Sequence, residues 1–137
     1  MTVYGVQICF GCVKGEQYDA IGTFWEKMRV LCPEAELLGV GFGWQDDTLC
    51  YLIGTENGVP EDAVEKISER FSNAVHAQIQ LPDMGWKTYT GTADTLDTLY
   101  QDIYKDGPLD YETEQIKADG TAVIRIWRKE EVCRSKE

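Results

Sequence analysis

Positive charge is scarce in this sequence: 13 lysines and arginines stand against 24 aspartates and glutamates, a formal net charge of −11. Nucleic-acid binding needs a basic face that neutralises phosphates. The longest basic run here, Arg128-Lys129, is followed at once by two glutamates. No nucleic-acid partner is therefore expected. Histidine is nearly absent, His76 being the only one. It alternates with glutamines on a strand-like, solvated face, and no Ser-His-Asp order, phosphate loop or metal-ligand cluster accompanies it. Neither a metal nor another cofactor is expected. Long apolar runs are missing too, since no stretch approaches the roughly 20 residues of a membrane helix. The N-terminal MTVYGVQICFGCVKG lacks the cationic segment and apolar run of a secretory signal. These absences predict a cytoplasmic protein with no membrane partner. A monomer is expected, although nothing in the sequence fixes the oligomeric state. The acidity itself serves solubility; it favours a cationic ligand only where a carboxylate is placed to meet one.

Five cysteines are present, Cys9, Cys12, Cys32, Cys50 and Cys133. An odd number without a signal segment predicts reduced thiols. Cys9 and Cys12 form a C-x-x-C, which carries redox or metal chemistry at a helix N-terminus. Here the pair sits in an alternating, strand-like stretch with no second pair, so a structural role is expected for it.

What is abundant is periodicity. Residues 2–13 alternate Val6, Ile8 and Phe10 against Gly5, Gln7 and Cys9, a strand. An amphipathic helix over 17–32 follows, its stripe formed by Ile21, Phe24, Trp25, Met28, Leu31 and Cys32, and Pro33 stops it. Residues 36–44 form a second strand, with Leu38, Val40, Phe42 and Trp44 on one face and Gly39, Gly41 and Gly43 on the other. A turn at Asp46-Asp47 leads into a third around 49–53. A connector helix over about 60–72 would bury Val64, Ile67 and Phe71. The pattern then returns: a strand from Val75 to Leu81, interrupted at Pro82-Asp83-Met84-Gly85 and resumed from Trp86 to Tyr89. Thr92 caps a helix over 93–105 that ends at Gly107-Pro108. Strands at 109–117 and 121–128 meet at Asp119-Gly120, a hairpin signal. The expectation is one α+β domain spanning 1–137. It contains two β-α-β-β modules, about 2–56 and 75–129, related by a pseudo-twofold axis, with an antiparallel sheet backed by helices and a ligand groove.

Several stretches carry a resemblance. Ile21-Gly22-Thr23-Phe24-Trp25, Tyr51-Leu52-Ile53-Gly54-Thr55-Glu56, Gln80-Leu81-Pro82 with Trp86-Lys87-Thr88-Tyr89 and Gly91, and the helix from Leu96 to Tyr104 follow one another as in the GyrI-like small-molecule-binding domain. That domain also serves as the effector-binding part of some AraC-type and MerR-type regulators. The order of elements is similar over nearly the whole chain. The helix over 61–72 is longer than that family's connector, and Glu114-Gln115-Ile116 only approximates its C-terminal Glu-x-Tyr. The resemblance implies a stand-alone member with an aromatic groove on the pseudo-twofold axis and an acidic residue at its base. Such a groove takes lipophilic, often cationic molecules, for sensing or sequestration. In one subgroup it hydrolyses reactive cyclopropane-containing compounds.

The residues add a reading of their own. A two-residue turn at Asp119-Gly120 would oppose Ile116 to Val123, Glu114 to Arg125 and Glu112 to Trp127, putting Glu112, Glu114, Arg125 and Trp127 on one face. A slip of one residue would exchange the faces. A carboxylate beside an indole suits a hydrophobic cation, whereas an exposed Glu114–Arg125 pair would be surface electrostatics only. The candidate ligand-binding residues are Glu112, Glu114, Trp127, Trp86, Trp25, Tyr51 and Tyr100. Trp25 and Tyr100 also read as core residues of their helices. Two function classes follow: a binder of a lipophilic small molecule, or a small hydrolase with Glu112 or Glu114 as acid/base and Tyr51 orienting the substrate.

Overall fold

Seven strands and three α-helices follow one another among the described residues, with a 3-10 turn at Ala93–Thr95 leading into the last helix. They are β1 (Thr2–Gly11), α1 (Glu16–Leu31), β2 (Leu38–Gln45), β3 (Thr48–Thr55), α2 (Ala63–Ser68), β4 (Val75–Gln80), β5 (Lys87–Thr92), α3 (Leu96–Lys105), β6 (Tyr111–Ile116) and β7 (Thr121–Trp127). The structure, a computed structural model, describes residues 1–11, 16–45, 47–107, 109–117 and 119–129. Cys12, Asp46, Pro108 and Cys133, on which sequence expectations fall, lie outside the described residues.

All seven strands form one antiparallel sheet in the order β4-β1-β3-β2-β6-β7-β5. The half β1-β3-β2 is mirrored by β6-β7-β5, as a twofold axis between β2 and β6 requires. This is the α+β architecture that the repeated strand and helix periods predict. β4 and β5 stand at opposite edges, although only residues 81–86 join them. Such a connector reaches about 25 Å, less than the roughly 29 Å across a flat seven-stranded sheet. The sheet must therefore curl.

Strand alternation gives the sheet two unlike faces. One, the helix face, buries Val6, Ile8 and Phe10 of β1 and Tyr51 and Ile53 of β3 against Phe24, Trp25 and Met28 of α1 and Ile67 of α2. Farther along the same face, Ile103 of α3 covers Ile124 and Ile126 of β7. The other, the connector face, gathers Val3, Val40 and Leu52 under Leu81 and Trp86 of the 81–86 connector. The helices thus grip the two flanks of the sheet, and its middle strands, β2 and β6, lie between them.

Three expectations need correction. The connector helix is short, Ala63–Ser68 rather than 60–72. Phe71 still docks in the core, but its N–H donates to the Ile67 carbonyl at 2.9 Å and the chain then turns toward β4. The last hairpin is also one residue longer than Asp119-Gly120 alone implies. The Lys117 N–H donates to the Thr121 carbonyl and the Gly120 N–H to the Lys117 carbonyl, both at 2.9 Å, with Gly120 at φ 88°. A left-handed glycine there turns the two-residue signal into a three-residue loop. The register becomes Glu114 opposite Ile124, Thr113 opposite Arg125, Glu112 opposite Ile126 and Tyr111 opposite Trp127. Glu112 and Glu114 therefore share a face with Ile124 and Ile126, and Arg125 and Trp127 turn to the connector face. Finally, Cys9 and Cys50 are not reduced thiols. They are directly opposed on β1 and β3, with Cα atoms 4.1 Å apart, and their sulfurs are bonded. Register across 41 residues of sequence, invisible to spacing, brings them together. Cys32 is the free cysteine among the described residues.

Candidate functional site

Between α1 and α3, over β2 and β6, the helix face opens into a cavity of about 780 Å³. The lateral pairing explains why it is there. Gly39 of β2 lies opposite Glu114 of β6, and Gly41 opposite Glu112. Two glycines next to two glutamates leave room above the sheet. Tyr51 of β3 uses that room by leaning across β2. A Cβ on Gly39 would run into the Tyr51 hydroxyl and come within 2.6 Å of Trp25 Cζ2. A register shift between Phe42 and Gln45 carries Trp44 to the same face, where it packs beside Gly41. This departs from the simple alternation that grouped Trp44 with Phe42.

The hydroxyls and carboxylates form one network. Trp25 Nε1 donates to the Tyr51 hydroxyl at 3.0 Å, and that hydroxyl donates to Glu114 Oε2 at 3.1 Å. Tyr100 of α3 donates to the same Oε2 at 3.0 Å, and Tyr104, one turn on, donates to Glu112 Oε2 at 3.5 Å. The rings of Tyr100 and Tyr104 stack with centroids 5.9 Å apart. Both glutamates are nearly inaccessible, 5% exposed for Glu112 and 8% for Glu114.

Burial decides the protonation of this cluster. Loss of water pushes Glu112 up to about 8; the Glu114 charge adds to the rise, and the Tyr100 and Tyr104 hydroxyls oppose it. Glu114 is also raised by burial, against the donors Tyr100 and Tyr51 and the Arg29 charge. Tyr51 and Tyr100 lie well above the usual phenol range, first through burial and then through the neighbouring carboxylates. At neutral pH the tyrosines are neutral donors and Glu112 holds its proton. Arg29 of α1 places its guanidinium 5.1 Å from the centroid of the Trp25 ring, a cation on an indole face.

Of the residues singled out from sequence, Glu112, Glu114, Tyr51, Trp25 and Tyr100 come together here. Trp86 and Trp127 do not. Trp86 donates from Nε1 to the Pro82 carbonyl at 2.7 Å, and Trp127 to the Met84 carbonyl at 2.9 Å, both on the connector face. Sequence reasoning missed Arg29, Tyr104 and Trp44. The first two sit four residues beyond Trp25 and Tyr100, one helical turn along the same face, a spacing signal that was present in the sequence. Trp44 left none, because its position depends on an irregularity in β2. His76 is exposed on β4 with its Nε2 3.2 Å from the Glu61 carbonyl. No group of three or more His, Cys, Asp or Glu side chains among the described residues is placed to hold a metal. No helix among them is long and apolar enough to cross a membrane.

No family model and no curated protein matches the chain. Solved structures do. An integron cassette protein from the mobile metagenome of Vibrio cholerae is similar with a TM-score of 0.62 and 15% identity, covering 93% of this chain and 89% of that one. At that identity the likeness is one of fold. A hydrolase from Listeria innocua aligns at a TM-score of 0.44 and 12% identity over 91% of this chain and 86% of that one.

Proposed function

We propose that the cavity over β2 and β6 binds a lipophilic, cationic small molecule, as the GyrI-like domains do that the sequence resembles. The observation that carries this reading is the pair Glu112 and Glu114, buried at the base of a cavity walled by Trp25, Trp44, Tyr51, Tyr100 and Tyr104. Two carboxyl groups side by side in an apolar setting repel each other and lack water, so one holds a proton. A cation entering the cavity removes both penalties, because it restores a counter-charge where dielectric screening is weak. The indole and phenol faces add contact area and attraction to the same charge. Arg29, already over Trp25, is an internal example of that contact.

The test compares 1-methylquinolinium with its neutral isostere 1-methylnaphthalene, followed by quenching of tryptophan fluorescence. The cation binds at least tenfold more tightly. Glu112→Gln and Glu114→Gln each reduce that preference by about 1–3 kcal/mol, the scale of a charge-assisted hydrogen bond. Equal affinities for the two probes would refute the carboxylate role.

A second reading, hydrolysis of a strained electrophile, is favoured by one feature. Glu112, pushed up to about 8, lies in the range of a general acid/base at neutral pH. Turnover of a cyclopropane-bearing electrophile that Glu112→Gln abolishes without loss of affinity would select this reading.

A further inference from the structure

The face of the sheet turned away from that cavity has a cavity of its own, of about 800 Å³. Its polar wall is a row across three strands: Thr113 of β6 is opposite Arg125 of β7, and Arg125 is opposite Thr88 of β5. An exposed arginine is thus flanked on both neighbouring strands by a threonine. Thr113 is only 5% exposed. Arg125 has no ion pair among the described residues. The apolar part of the lining is Val3, Leu38, Leu81 and Trp86. Glu36 and Glu56, both exposed and outside the strands and helices, also line it.

We propose that this connector-face cavity is a second small-molecule site, selective for a planar aromatic carboxylate. The fork of a guanidinium matches a carboxylate with two parallel N–H donors. The Thr113 and Thr88 hydroxyls supply further donors from either side, and the aromatic body lies on Trp86 and the aliphatic wall. The chain's net negative charge does not prevent this. At physiological salt, charge interactions are screened beyond about 8 Å, so the groups that line the cavity, Arg125 among them, decide rather than the net charge. The alternation of β6 divides the two chemistries: Glu112 and Glu114 face one cavity while Thr113 and Gln115 face the other. One strand would serve a cation on one side and an anion on the other.

The test titrates 2-naphthoate and its neutral counterpart 2-naphthamide into the full chain, reading the indole N–H resonances of the four tryptophans. Naphthoate binds saturably and at least tenfold more tightly than naphthamide, with the Trp86 resonance moving and Trp25 still. Arg125→Gln loses that preference, Arg125→Lys keeps part of it, and Thr113→Val weakens naphthoate about three- to tenfold. Binding of 1-methylquinolinium is retained in Arg125→Gln, which separates this site from the carboxylate cavity and shows the variant is folded. Equal binding of naphthoate and naphthamide, an unchanged Arg125→Gln, movement at Trp25 instead of Trp86, or no saturable binding at millimolar naphthoate would each overturn the proposal.

Discussion

At the scale of single residues, Glu112 is the group whose state most affects the molecule. Folded, it keeps its proton up to about 8; unfolded, it releases it near the ordinary glutamate value of about 4.3. Between those values the folded chain binds the extra proton, so stability declines as pH rises, by at most about 1.4 kcal/mol per unit, and levels off above 8. Glutamine has the shape of the protonated acid and no proton to lose. Glu112→Gln should therefore match the parent near pH 4.5 and exceed it at pH 8.5 in urea denaturation, with a smaller slope left by Glu114. A parent whose stability rises steadily across that window would contradict the assignment. Tyr51 offers a second check, because its hydroxyl both accepts from Trp25 and donates to Glu114. Tyr51→Phe strands the indole N–H and removes one donor from a buried carboxylate. The expected loss is about 1–3 kcal/mol, with the Glu114 pKa moving farther up in a carbon-13 carboxyl titration.

Among the elements, β2 and the last hairpin determine where the site is. Gly39→Ala puts a methyl group where Tyr51 and Trp25 cross. It should lower the unfolding midpoint and disturb both aromatic signals in near-ultraviolet circular dichroism, since overpacking a buried contact costs typically about 1–3 kcal/mol. Gly120→Ala tests the loop: a left-handed φ of 88° costs an L-residue roughly 1–2 kcal/mol. That loop also marks the limit of what could be read from sequence. The stripe of α1 and the alternation of β1 predict their buried faces correctly, because burial imposes its period directly on the residue string. The glycine row of β2 was legible as open space for the same reason. The side on which Glu112 and Glu114 fall was not. It turns on whether two or three residues close the hairpin, and Asp-Gly is compatible with both. One residue exchanged Arg125 and Trp127 for Ile124 and Ile126 beside the glutamates. The Cys9–Cys50 bond and the arrival of Trp44 also depend on strand register and a bulge, neither of which leaves a periodic trace.

For the whole molecule, the mirrored strand order places β2 and β6 on the axis and the helices on the flanks, so a cavity between the helices follows from the topology. The net charge of −11 gives any cation a long-range attraction that salt screens, whereas attraction to the buried carboxylates persists. The affinity of 1-methylquinolinium should accordingly fall little when salt is raised from 0.05 to 0.5 M, and a collapse over that range would assign binding to the surface. The central claim is that a cation is held by a glutamate that must first give up its proton. The direct measurement is the affinity of 1-methylquinolinium, a permanent cation, from pH 5.5 to 9, in the parent and in Glu112→Gln. Binding that strengthens with pH by up to tenfold per unit, levels off above about 8 and loses this dependence in Glu112→Gln is the expected result. A pH-independent affinity in the parent, or the same profile in both proteins, would contradict it.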